Sequence, residues 1–131
     1  MLYELKDYLT SDNKYPERVN SDELTPEKLK NAAALLDALN EMFEFLKMPR
    51  RAINSGFRTL AANTAAGGAT HSNHMDCTAI DLADPTRSLY WLLCASNNAL
   101  LLDYDFFIEH IDNVPRTHIQ TKATKNRVFL K

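Results

Sequence analysis

The chain has 131 residues, enough to bury one hydrophobic core without disulfide staples. Apolar residues make up 45% and charged residues 24%, and the formal net charge of −2 gives no reason to expect nucleic acid or an anionic membrane as a partner. Two cysteines, Cys77 and Cys94, are too few for a secreted disulfide framework and read as reduced thiols.

Residues 1–24 are polar and mixed, with Pro16 among them, and are expected to wrap the surface after a short helix. The N-terminus lacks the basic and apolar regions of a signal peptide, and no apolar run approaches the roughly twenty residues of a membrane span. A chain made in the cytoplasm and not inserted in a membrane is expected. In "LTPEKLKNAAALLDALNEMFEFLKMP", Thr25 can cap and Pro26 suits the first helical turn. Leu29, Ala32, Ala33, Leu36, Leu39, Phe43 and Leu46 then recur at three and four, which predicts a helix with one buried stripe, ended by Pro49.

"AINSGF" reads as a short strand, and "TLAANTAA" as a brief helix closed by Gly67 and Gly68. "TAIDLAD" predicts a strand with Ala79 and Asp81 on one side and Ile80 and Leu82 on the other. "PTRSLYWLLCASNNALLLD" reads as a second apolar helix with Tyr90, Trp91, Leu93 and Cys94 turned inward. Next comes the pattern of a β-hairpin: "YDFFIEHI", the turn "DNVP", then "RTHIQTK". That connection pairs Ile111 with Arg116 and brings Glu109 opposite His118 on one face. The basic ending "KATKNRVFLK" reads as solvated surface. With no repeat and no linker, residues 1–131 are expected to form a single domain.

Four residues have the right chemistry to work together: His74, Asp81, Glu109 and His118. Two neutral imidazoles and one carboxylate would hold a catalytic zinc ion and leave a position open for water. Glu109, beside His118, would take a proton as general base, and Arg58 would hold a carboxylate or a developing oxyanion. Each has a plainer reading: His74 as a loop histidine, His118 and Glu109 as solvated strand residues. His71, three residues before His74, is a rival ligand. Cys77 reads as a packing thiol, and His110 points away from His118. Asp81 is the hardest to set aside, because a carboxylate in an apolar strand needs a partner.

The run "SGFR…NTAAGGATHSNHMDCTAIDL" resembles the zinc peptidase family of phage endolysins and D-Ala-D-Ala carboxypeptidases, whose pattern is approximately SGYRS, then N-x-x-x-G-G-x-x-x-S-x-H-x-x-G-x-A-x-D-[IL]. Ser55-Gly56-Phe57-Arg58, Asn63, Gly67-Gly68, Ser72, His74, Ala79, Asp81 and Leu82 fall on it without a gap, and "YDFFIEH…THIQ" is similar to the family's ending. The likeness covers roughly residues 25–122. It implies an α+β fold of the hedgehog/DD-peptidase type, with helices packed on a small, mainly antiparallel sheet. It also implies one Zn2+ ion held by His74, Asp81 and His118, Glu109 as the catalytic carboxylate with Asp112 as competitor, and Arg58 on substrate. Ser72 is expected to fix the loop by hydrogen bonding.

Two positions depart from the pattern. Cys77 stands where the family has glycine, which leaves open a backbone with no need of positive φ or a narrowed groove. Arg116-Thr117 replaces the aromatic before the final histidine. The resemblance implies hydrolysis of an amide in the peptidoglycan stem peptide, with L-alanyl-D-glutamate endopeptidase favoured over D,D-carboxypeptidase. A monomeric phage endolysin, released through a holin or carried in a virion, fits the compact chain. The alternative is a non-catalytic zinc module, a binding or virion structural protein of the same fold.

Overall fold

The computed structural model describes residues 1–11, 22–111 and 113–130. Along the chain run α1 (Leu5–Thr10), α2 (Pro26–Phe45), β1 (Ile53–Ser55), α3 (Leu60–Ala65), β2 (Ala79–Ala83), α4 (Ser88–Tyr104), β3 (Phe107–Glu109), β4 (Arg116–Gln120) and β5 (Val128–Phe129). The strands form one five-stranded sheet in the order β1-β2-β4-β3-β5, antiparallel except for the β3–β5 pair. This is the α+β architecture, helices with a small, mainly antiparallel sheet, that the sequence leads one to expect. Pro16 and Asp112 lie outside the described residues.

Helix α2 starts as its sequence dictates: Thr25 Oγ1 accepts a hydrogen bond from Lys28 N at 3.3 Å, and Pro26 occupies the first turn. Its buried stripe is Ala32, Leu35, Leu36, Leu39, Met42 and Phe43, while Ala33 is exposed. The face is therefore rotated slightly from the expected one, so that the bulkier Leu35 and Met42 pack inward in place of Ala33. Helix α1 is pinned to the sheet by Tyr8, whose buried hydroxyl donates to Ala79 O at 2.7 Å.

Strand alternation divides β2 and β4 into two faces. Ile80, Leu82 and Ile119 are fully buried in the core cluster, each contributing about 1.5–3 kcal/mol by burial. Asp84, just past β2, is the polar exception on that side. Its carboxylate accepts from Leu89 N (3.0 Å), Tyr90 N (2.9 Å), Thr117 Oγ1 (2.7 Å) and Arg51 Nη1 (3.2 Å). One buried acid thus caps the start of α4 and bolts it to β4.

The β3–β4 register pairs Phe107 with Gln120 and Ile108 with Ile119, so the next pair along is Glu109 and His118, in the register the sequence predicts. The hairpin itself is shorter than expected. Tyr104 ends α4 and Asp105 caps it in the left-handed region (φ 55), so the strand begins only at Phe107. The connection after Glu109 is longer than four residues and is tied down by Arg87, which donates to Ile111 O (2.9 Å), Val114 O (3.3 Å) and Arg116 O.

Two other expectations are corrected. Helix α4 is broken by Ala95–Asn98, where Ser96, Asn97 and Asn98 are left-handed, a conformation that asparagine tolerates better than most residues. Its first segment buries Leu89, Tyr90 and Leu93, which turns Trp91 out to 66% exposure against the edge of Tyr90. The basic tail is not merely solvated surface. Val128–Phe129 adds β5 to the sheet, with Ile108 N donating to Arg127 O at 2.8 Å and the Arg127 guanidinium lying 4.1 Å over the Phe107 ring.

Candidate metal centre

The loop from α3 to β2 is built to deliver His74. Thr59 caps α3 through Ala62 N, and the helix ends in a Schellman turn: Gly67 (φ 70) donates to Thr64 O and Gly68 N to Asn63 O. A side chain at Gly68 would put its Cβ 2.0 Å from Asn63 Oδ1. Glycine there lets Asn63 accept from Arg58 Nη1 at 3.4 Å and donate to Ala69 O at 2.7 Å. Arg58 Nε donates to Ser55 Oγ at 2.9 Å, so its guanidinium is held from two sides. Ser72 fixes the loop by accepting from His74 N at 3.2 Å through Oγ and from Met75 N at 3.0 Å through its carbonyl.

Cys77 takes a left-handed backbone without being a glycine. Its φ is 60, and its thiol is fully buried. The position therefore does require the left-handed region, contrary to one of the two sequence expectations, and the strain of about 1–2 kcal/mol is carried by a cysteine. Burial pushes the thiol up to about 12, keeping it protonated.

His74, Asp81 and His118 converge from the loop, β2 and β4, with one ligand atom from each lying within 4.8 Å of the others. The imidazole orientations are set by partners behind them. His74 Nδ1 lies 2.9 Å from Gly56 O, and since a carbonyl only accepts, Nδ1 carries the proton and Nε2 faces Asp81 Oδ1 at 3.4 Å. His118 Nε2 donates to Gln120 Oε1 at 2.8 Å, an oxygen that also accepts from Asn73 Nδ2 at 3.0 Å. That leaves His118 Nδ1 toward Asp81 Oδ1, at 2.9 Å.

Asp81 is only 5% exposed, and its second oxygen lies 4.0 Å from Arg58 Nη2 and 3.9 Å from Arg116 Nε. Burial pushes its carboxyl up, but the hydrogen bonds and charges of His118 and His74 outweigh that and hold it well below the usual carboxylate range. Burial opposes the charged form of His118, and the bond to Asp81, with further help from Gln120 and Glu109, raises it above the usual histidine value. Two nitrogens and an oxygen on rigid supports suit a borderline-soft divalent cation with one position left open.

The cleft beside these groups has a volume of about 240 Å³. Glu109, at the end of β3, lines it and is 9% exposed, and its Oε1 is the one buried side-chain oxygen or nitrogen among the described residues with no hydrogen-bond partner. His71 lines the cleft but is exposed and stands outside the three-residue cluster. Three groups escaped sequence reasoning. Gln120 orients His118, Arg116 faces Asp81, and Phe129 meets His118 edge-on at 6.3 Å between ring centres. Strand alternation alone places Arg116 and Gln120 on the face of His118, and that was the available signal.

A largely buried His/Asp/His cluster in a cleft that also holds a carboxylate oxygen with no hydrogen-bond partner is the equipment of a metal-dependent hydrolase. Residues 11–112 match the Peptidase M15 family, and the chain belongs to it. The protein is accordingly a zinc metallopeptidase, of a family that acts on peptidoglycan. The matched span takes in Arg58, His74, Asp81 and Glu109 and stops before His118, whose place in the cluster comes from β4 pairing with β2. No curated protein matches the chain.

Proposed function

We propose that this peptidase cleaves an amide bond of the peptidoglycan stem peptide, with one zinc ion held by His74, Asp81 and His118. The observation that carries the catalytic part is Glu109 Oε1, buried in the cleft without a partner. An unsatisfied buried carboxylate oxygen costs about 1–3 kcal/mol or more, a cost that makes sense if it accepts a proton during turnover. Bound zinc would polarise the scissile carbonyl and lower the pKa of a water toward neutrality. Glu109 accepts the proton of the attacking water and delivers it to the departing nitrogen. Arg58, fixed by Ser55 and Asn63, stabilises with its positive charge the negative charge that develops on the carbonyl oxygen.

The favoured bond is L-alanyl-D-glutamate, with the terminal D-alanyl-D-alanine bond second. A role as a monomeric phage endolysin, reaching the wall through a holin or within a virion, is part of the same proposal.

The test is digestion of purified peptidoglycan by zinc-loaded protein, with mass spectrometry of the fragments. New amino termini at D-glutamate, or free D-alanine, identify the bond. Intact peptidoglycan from protein shown to hold one zinc overturns the reading in favour of a non-catalytic module. Glu109→Gln is expected to keep its zinc and lose about 10²–10⁴-fold in kcat, and full activity in that variant removes Glu109 from the role.

A further inference from the structure

We infer that Arg116 binds a free α-carboxylate on the substrate residue whose nitrogen is released. The inference rests on the stem-peptide reading above and adds to it the group that selects the substrate. Arg116 shares its face of β4 with His118, two residues away, and lines the same cleft. Across the ladder its partner is Ala83, which offers no polar side chain to pair with a guanidinium. The side chain is 41% exposed, and among the described residues its guanidinium makes no hydrogen bond, only the 3.9 Å approach of Nε to Asp81. Arg58 differs, since Ser55 takes its Nε donor and Asn63 one Nη1 donor.

The base of Arg116 is rigid as well. Arg87 grips the carbonyls of Ile111, Val114 and Arg116 and fixes where β4 begins. A planar donor fork on a fixed support, one strand step from the ligand cluster, suits bidentate capture of a carboxylate. In the stem peptide such a group sits on the carbon bearing the scissile nitrogen at both favoured bonds. D-glutamate linked through its γ-carboxyl keeps its α-carboxylate free, and terminal D-alanine carries its own. The chemistry is shared, so the cleaved peptide distinguishes the sources.

The experiment uses the zinc-loaded protein and two peptide pairs, one for each bond, each pair differing only in α-carboxylate against α-carboxamide. The wild type is expected to favour the carboxylate by about 10–100-fold in kcat/KM, chiefly through KM. Arg116→Gln loses that preference while still cutting the carboxamide, and Arg116→Lys recovers part of it. In Glu109→Gln protein, calorimetric binding of the carboxylate peptide weakens on adding Arg116→Gln, which reads the contact without turnover. A preference that survives Arg116→Gln, or its absence from the wild type, overturns the assignment to Arg116 and leaves the peptidase reading standing. Failure to cut or bind either member of either pair overturns the stem-peptide reading, and this inference with it.

Discussion

The two faces of the β2–β4 pair bury polar groups on different terms. Toward the core lie Ile80, Leu82, Thr117 and Ile119, and the one acid nearby, Asp84, receives four hydrogen bonds from helix, strand and Arg51. Toward the cleft lie Asp81, Arg116, His118 and Gln120, with Glu109 next to them on β3. There, among the described residues, Glu109 Oε1 is left unpartnered and the Arg116 guanidinium makes no hydrogen bond. Two of the buried carboxylates, Asp84 and Glu109, thus stand at opposite extremes. Asp84 accepts hydrogen bonds through both oxygens and is structural, whereas Glu109 Oε1 meets no hydrogen-bond donor among the described residues.

Neighbouring residues on β4 give the sharpest test, because His118 and Ile119 point to opposite faces. His118→Ala is expected to abolish stoichiometric metal binding and activity while leaving the metal-free fold in place. Ile119→Ala opens a cavity and is expected to cost about 2–5 kcal/mol of stability, yet it keeps its metal below the unfolding midpoint. Inductively coupled plasma analysis and urea titration of the pair separate the two effects. A His118→Ala protein that unfolds, or an Ile119→Ala protein that loses metal while folded, would show that the faces are not independent.

Gln120 comes next in size. It accepts from His118 Nε2 and Asn73 Nδ2 and donates to Lys122 O at 2.8 Å, so it orients the imidazole from behind. Gln120→Leu is expected to weaken metal affinity by about 10–100-fold, measured by competition with a chelator, with little change in the metal-free unfolding midpoint. An unchanged affinity would mean that strand geometry alone orients His118.

The pieces legible in the sequence were those fixed by period or by type. Helix α2 shows its stripe and cap, β2 its alternation, and the hairpin count brings Glu109 to His118 in the observed register. The rest depended on contacts between distant segments. Nothing local in "KATKNRVFLK" shows that it will pair with β3, since a two-residue edge strand carries almost no periodic signal. The break at Ala95–Asn98 hides inside a run whose apolar content reads as one helix. Asp81 opposite His118 follows from β2 lying beside β4, a matter of strand order that a single sequence does not fix.

Cys77 gives the smallest effect and the finest contrast with the cleft, because its cost is backbone strain and not an unmet hydrogen bond. Cys77→Gly removes a left-handed strain of about 1–2 kcal/mol but forfeits burial of the thiol, worth about 1 kcal/mol, and loosens the unfolded chain. These offset, so stability near neutral pH is expected to change by less than about 1 kcal/mol. Alkaline pH separates the proteins. The thiol's folded value is pushed up to about 12 against an ordinary 9.0, so above pH 9 the unfolded state loses a proton that the folded state retains. Stability of the wild type therefore falls as pH rises from 9 toward 12. Tyr8, raised chiefly by its own burial and further by Cys77, contributes to the same fall, and only the part due to Cys77 is lost in the variant. Urea midpoints across that range are expected to drop less steeply for Cys77→Gly, and identical slopes would mean that the buried thiol does not govern the alkaline loss.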